Sequence, residues 1–206
     1  MNIVKICGLK TDEEIKQTAE AGADLGGIVV FYPKSKRNIE IGDAAELVRY
    51  AKENTQLKMV AVTVSPDLFQ VSEIERCGFD YIQIHGEIAG EVLERTDIPI
   101  IKAFNVRDMN ELDKYKDNPR VCGFVFDASL PGSGLSFDYS LLPDLRDLTN
   151  TGKMILLAGG LNPGNVKEAL ERTGLSGADT SSGVENDEGT GKSAEKIFRF
   201  VKNAKN

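Results

Sequence analysis

The stretch Asn2-Ile-Val-Lys-Ile-Cys-Gly-Leu-Lys-Thr-Asp-Glu-Glu14 contains one complete strand-to-helix step. A short run bearing Val and Ile ends on a thiol. A glycine follows, and Thr11, three residues ahead of Glu14, signals a helix start of the capping-box kind. Ile15, Thr18 and Ala19 then fall on one helical face. Alternate residues of a strand share a face, so Lys5 and Cys7 point the same way. The step recurs along the chain. Further strands are expected at Gly27–Phe31, Met59–Val64, Tyr81–Ile84, Ile100–Phe104, Gly123–Asp127, Met154–Ala158 and Ala178–Thr180. Amphipathic helical stretches lie between them. Ser65-Pro66 and Asn162-Pro163 each set a capping residue before a proline suited to a first helical turn. Gly22, Gly78 and Gly174 suit left-handed helix stops.

The strands are Val- and Ile-rich and do not alternate cleanly, as expected of parallel strands covered by helices. Two architectures compete, a closed (βα)8 barrel and an open doubly wound sheet. No GxGxxG follows the first strand, which weakens the dinucleotide-binding form of the open sheet. No linker, low-complexity run or composition shift divides the chain. The expectation is one (βα)8 TIM-barrel domain of the α/β class over residues 1–206.

At 41% hydrophobic and 28% charged residues, the composition is that of a soluble globular protein. A net charge of −7 disfavours nucleic acid as a partner, because phosphate backbones need clustered Lys and Arg. A small anion held at a local basic or amide-rich site remains open. No apolar run has the length of a membrane span. Met1 leads straight into strand-like sequence, so no signal or transit segment is expected. Cys7, Cys77 and Cys122 are odd in number and far apart, which argues against a disulfide framework or zinc knuckle and fits a reducing cytoplasm. His85 is the sole histidine, which excludes a histidine-rich metal site.

A barrel of this kind keeps its active site at the carboxyl ends of its strands. Cys7-Gly8 ends the first strand, and Ser35-Lys36-Arg37 follows the second. Gln83 and His85 share a face of the fourth. Asp127 ends the sixth, ahead of Pro131-Gly132-Ser133-Gly134. Ala158-Gly159-Gly160 ends the seventh, and the eighth runs into Asp179-Thr180-Ser181-Ser182-Gly183. Glycine loops after the last two strands are where such barrels bind phosphate through backbone amides. Taken singly, Gly-Gly and Ser-Ser-Gly are also ordinary turns. A free cysteine is commonly a small buried hydrophobe, and a strand-end aspartate is commonly a cap. The inward Lys5 has two readings. It either favours a thiolate at Cys7 or pairs with a carboxylate lower in the barrel.

Assembled in order, these landmarks resemble the phosphoribosylanthranilate isomerase family of tryptophan biosynthesis, over nearly the whole chain. They are Val4-Lys-Ile-Cys-Gly8, Ser35-Lys-Arg37, Ile82-Gln-Ile-His-Gly86, Gly132-Ser-Gly134 with Phe137-Asp138, Leu157-Ala-Gly-Gly-Leu161 and Ser181-Ser-Gly-Val-Glu185. The resemblance implies a cofactor-free and metal-free Amadori rearrangement of N-(5-phosphoribosyl)anthranilate by an intramolecular aldose–ketose isomerase. It implies Cys7 as general base, Asp127 as general acid and Arg37 as the partner of the anthranilate carboxylate. Phosphate would be held by Gly132, Ser133, Gly134, Gly159, Gly160, Ser181, Ser182 and Gly183. Gln83, His85 and Asp179 would line the pocket. The only expected partner is a small phosphosugar substrate, with a monomer or homodimer as the assembly. An ordinary thiol is protonated and an ordinary aspartate ionised at neutral pH, so both roles demand a tuned environment.

The chain departs from the family pattern in several places. Lys36 replaces a proline before Arg37, which predicts a less rigid loop. Pro131 replaces a glycine, Tyr139 a frequent tryptophan, Thr180 a frequent valine and Ser193 a frequent aspartate. Rival readings are another phosphosugar barrel enzyme, such as an indole-glycerol-phosphate synthase, or a non-catalytic barrel binding a phosphate ligand. The second would need neither Cys7 nor Asp127.

Overall fold

Eight parallel strands hydrogen-bond in chain order and close on themselves, with β8 pairing back onto β1. A computed structural model describes residues 2–127, 148 and 151–206. The strands are β1 (Ile3–Cys7), β2 (Leu25–Val29), β3 (Lys58–Val64), β4 (Tyr81–His85), β5 (Ile100–Asn105), β6 (Val121–Asp127), β7 (Met154–Ala158) and β8 (Gly177–Thr180). The helices described are α1 (Asp12–Glu20), α2 (Ile41–Asn54), α3 (Leu68–Cys77), α4 (Gly90–Arg95), α5 (Val166–Thr173) and α6 (Ala194–Lys205). A 3₁₀ helix at Val106–Lys114 occupies the position after β5. The closed barrel is the architecture expected from the strand rhythm.

Strand parity divides the buried residues into two cores. Leu25, Val29, Val60, Val62, Ile101, Val125 and Leu156 fill the barrel interior. Val4, Ile6, Ile28, Ile82, Phe104 and Phe126 face outward against the helices. Phe104 and Phe126 stack at 5.8 Å between ring centroids in that outer layer. Each such fully buried side chain contributes about 1.5–3 kcal/mol of transfer free energy. No described helix is long and apolar enough to cross a membrane.

β2 begins two residues earlier than expected because Leu25 and Gly26 are also strand residues. A Cβ on Gly26 would stand 2.7 Å from Leu57 Cδ2. Glycine here marks a close approach of neighbours. The strand ends early because Phe31 turns to φ 56°.

Three expected helix starts differ in detail. The Thr11 hydroxyl accepts from the Glu14 amide as predicted, but the Glu14 carboxylate does not return to the capping residue. It accepts instead from the backbone of Lys10 at 2.7 Å and Lys192 at 2.8 Å, tying α1 to the segment after β8. α3 is capped by Asp67 in a full capping box with Gln70, not by Ser65. Ser65 sits at φ 43° and accepts from the Glu87 amide. Asn162 makes a local turn, accepting from Gly164, and α5 begins only at Val166. At α3 a side-chain cap two residues beyond Ser65 outcompeted the residue before proline. The glycine stops at Gly78 and Gly174 are left-handed as expected.

Candidate active site

The carboxyl ends of the strands enclose a cavity of about 740 Å³. Cys7, Arg37, Gln83, His85, Asp127 and Asp179 all line it, as do Gly159, Gly160, Ser181 and Ser182. Residues drawn from β1, β4, β6, β7, β8 and the loop after β2 therefore meet in one place. The expected phosphate residues Gly132, Ser133 and Gly134, and the departures Pro131 and Tyr139, lie outside the described residues. Gly183 is not in the cavity wall but directly supports it. A Cβ there would overlap the carbonyl oxygen of Leu161, so only glycine lets the loops after β7 and β8 touch. Thr180 reinforces that contact by donating its hydroxyl to the same carbonyl at 2.7 Å, a use for the hydroxyl that valine would lack. Gly159 and Gly160 both adopt positive φ, 95° and 66°.

Cys7 closes β1 with 8% of its surface exposed, all three cysteines being free. Below it on the same face, Lys5 is fully buried and donates to both carboxylate oxygens of Asp179 at 3.1 Å. Of the two readings of Lys5, pairing with a carboxylate is thus realised. It does not exclude the other. The Cys7 Sγ and the Lys5 Nζ each lie 3.1 Å from where a Cβ on Gly27 would be, so thiol and ammonium share the space above one bare glycine. Burial works to discharge Lys5, but the charge of Asp179, then that of Cys7, outweighs it and raises its pKa. Lys5 is an ammonium at neutral pH.

Lys192 is a second buried cation at the thiol, and short-range sequence signals missed it. Its side chain is 2% exposed, and its ammonium donates to the Ser181 carbonyl at 3.0 Å and hydroxyl at 3.3 Å. Ser181 in turn donates its hydroxyl to the Cys7 carbonyl at 2.9 Å. Burial pulls the Lys192 pKa down, with Cys7 opposing. A lysine among Gly, Thr, Asn and Glu reads as surface; only the fold of the segment onto β1 buries it. Ser193 beside it caps α6 by accepting from the Lys196 amide, as an aspartate would.

His85 and Gln83 sit on β4 with the Gln83 amide nitrogen 2.9 Å from His85 Nε2. Burial pushes the imidazole pKa from its ordinary 6.5 to about 4, with Lys5 and Lys102 adding and Asp127 opposing. The ring is neutral at neutral pH. In this orientation the Gln83 carbonyl oxygen is buried with no hydrogen-bond partner among the described residues. Asp127 ends β6 half-buried, close enough to perturb both His85 and Asp179.

Arg37 is not loose. Its Nε and Nη2 meet Glu185 Oε1 at 2.7 and 2.6 Å, and Lys36 meets Glu185 Oε2 at 2.8 Å. Lys36, expected to loosen the loop in place of proline, is a tether across the barrel mouth. The Arg37 stem crosses Gly8, where a Cβ would stand 2.5 Å from Arg37 Cδ. Among the described residues, no group of three His, Cys, Asp or Glu side chains is arranged to hold a metal ion.

Comparison with known proteins agrees with this fold. The family model described as N-(5'phosphoribosyl)anthranilate (PRA) isomerase matches residues 4–203. The N-(5'-phosphoribosyl)anthranilate isomerase of Geotalea uraniireducens is 38% identical over 209 residues, covering 100% of this chain and 99% of the relative. The crystal structure of phosphoribosyl anthranilate isomerase from Thermotoga maritima superposes with a TM-score of 0.84 at 35% identity, covering 100% of this chain and 99% of the other. A phosphoribosyl anthranilate isomerase in complex with reduced 1-(o-carboxyphenylamino)-1-deoxyribulose 5-phosphate superposes at 0.80 with 33% identity, covering 100% and 99%.

Proposed function

The chain belongs to the N-(5'-phosphoribosyl)anthranilate isomerase family, and from that premise we propose that Cys7 and Asp127 are the base and acid of its isomerisation. The family's reaction is an Amadori rearrangement in tryptophan biosynthesis. Asp127 protonates the furanose oxygen of phosphoribosylanthranilate. The C1–O bond breaks, and the nitrogen lone pair forms an iminium ion. Cys7 removes the proton from C2, and its electrons give the enolamine. That species takes a proton at C1 and releases one from its 2-hydroxyl, leaving the ketone. No atom is gained or lost overall, and the ring opens under acid catalysis, so the protein's task is to move protons.

The observation that carries this reading is that Cys7 and Asp127 face one cavity with an arginine at one side and two interlocked glycine loops at another. A proton-transfer enzyme needs both groups within reach of one substrate pose. The arginine suits the planar anthranilate carboxylate through paired hydrogen bonds. Gly159, Gly160, Ser181, Ser182 and Gly183 take the phosphate, since the first amides of a helical turn have no acceptor within it. Lys5 and Lys192 supply the positive surroundings a thiolate base requires. The neutral His85 and the open Gln83 carbonyl oxygen offer partners for sugar hydroxyls.

The test follows the loss of phosphoribosylanthranilate fluorescence with purified protein. Wild type should turn over. Cys7→Ser and Asp127→Asn should each lose about 10²–10⁴-fold in kcat, the usual contribution of a general acid or base. Full activity in either variant refutes that residue's role.

A further inference from the structure

Glu185 touches neither the thiol nor the acid, yet it is the hub of the ionic contacts at the barrel mouth. Its oxygens meet Arg37, Lys36 and, at 3.8 Å, Lys192. Its backbone carbonyl accepts from Lys196 at 3.0 Å, and its position bridges to Lys192 in the adjoining segment. Its side chain is 12% exposed. Arg37 lines the cavity and Glu185 does not, so the arginine is the member of the pair that meets the cavity.

A guanidinium has five N–H donors in a rigid plane. Glu185 takes the side edge, Nε and one hydrogen of Nη2. The end edge, Nη1 with the second hydrogen of Nη2, has no protein partner among the described residues and is the edge that receives a carboxylate in a fork. Lys36 holds the other Glu185 oxygen, so the carboxylate cannot swing to meet Arg37 end-on without losing that bond. Burial works against the charge on Glu185, but bonds from Lys36 and Arg37 keep its pKa below the usual range.

We infer that Glu185 is the positioning residue of the carboxylate subsite: it locks the side edge of Arg37 and thereby presents the end edge to the substrate's aromatic carboxylate. This rests on the isomerase reading above. Arg37 alone, on a loop carrying lysine where proline is usual, would have its long side chain free to leave the cavity. The ligand class is an anionic arylamine, and Glu185 sets the preference for the ortho-carboxylate over the bare ring.

The test compares two probes by calorimetry, reduced 1-(o-carboxyphenylamino)-1-deoxyribulose 5-phosphate and the same compound without the ring carboxylate. Wild type should prefer the first. Glu185→Gln should lose about tenfold in affinity for the carboxylated probe, the scale of one charge-assisted hydrogen bond degraded. Its affinity for the other probe should stay within about twofold, which also shows that the pocket is folded. In turnover the loss should fall on KM, with kcat nearly kept. Glu185→Asp, which keeps the charge but withdraws the oxygens, should show the same selective loss at smaller size. Equal loss of both probes makes Glu185 merely structural and overturns the inference. Unchanged or tighter binding of the carboxylated probe overturns it too, making Glu185 a bystander or a competitor for Arg37. If wild type binds neither probe, the isomerase reading itself fails and takes the inference with it.

Discussion

Replacing His85 with glutamine should remove a measurable part of the protein's acid sensitivity. The imidazole is held neutral by burial and by Lys5 and Lys102, with its pKa near 4 against an ordinary 6.5. Between those values the unfolded chain binds a proton that the folded chain refuses. Stability is therefore intact above about pH 6.5 and falls progressively as the pH drops towards 4. At 1.36 kcal/mol per pH unit the full loss is at most about 3.5 kcal/mol. At pH 4.5 it amounts to about 2.5 kcal/mol, and partial exposure of the ring to the cavity reduces it to about 1–2.5 kcal/mol. Glutamine keeps a hydrogen-bonding partner for Gln83 and cannot titrate. Urea unfolding of wild type and His85→Gln at pH 7 and pH 4.5 isolates the effect, because carboxylates away from the ring contribute alike to both proteins. Wild type should lose more by that amount. As the sole histidine, in tag-free protein, His85 also gives one Hε1 resonance whose titration midpoint reads the pKa directly. A midpoint near 6.5, or equal losses in both proteins, refutes the reasoning and makes the ring a candidate proton carrier at neutral pH.

Lys5→Met orphans the buried carboxylate of Asp179 and should cost about 3–5 kcal/mol in urea unfolding. Adding Asp179→Asn should return part of it, and no loss at all would mean the pair is dispensable. Gly183→Ala drives a methyl group into the Leu161 carbonyl and pries apart the two glycine loops. It should weaken a phosphate-bearing ligand at least about tenfold by calorimetry, as loss of paired amide contacts requires, whereas an unchanged affinity would remove those loops from the phosphate site. Phe126→Ala opens a void in the outer aromatic layer and should cost about 3–5 kcal/mol. KM should be unaffected, since the ring faces the helices; a changed KM would contradict the two-core division.

The strand rhythm was legible because it is written in local periodicity. The side chains at the ends of β1, β4, β6, β7 and β8 could be named because parity and the barrel's polarity assign them to one mouth. Reading failed where a local signal had two possible outlets. Gly26 falls outside the strand expected from sequence, and only the neighbours crowding it show that it belongs there. Ser65 and Asn162 look like caps, yet α3 takes Asp67 and α5 starts after Asn165. Lys36 looked like a loosened loop, and its function as a tether depends on a residue far along the chain.

Residue order alone therefore determines the alternation of strands and helices, the inward set Lys5, Cys7, Gln83, His85 and Asp127, and the family to which these motifs point. Those properties rest on repeats of two and of about 3.6 residues, which neighbours in sequence enforce. The tertiary structure alone decides that Lys192 is buried against Ser181, that Glu185 holds the side edge of Arg37, and that Lys5 answers to Asp179. Arg37 and Glu185 are 148 residues apart in sequence, Lys5 and Asp179 174 apart. Charges so distant carry no mutual signature in the chain. Closing β8 onto β1 sets them within hydrogen-bond reach, and burial then makes their pairing matter.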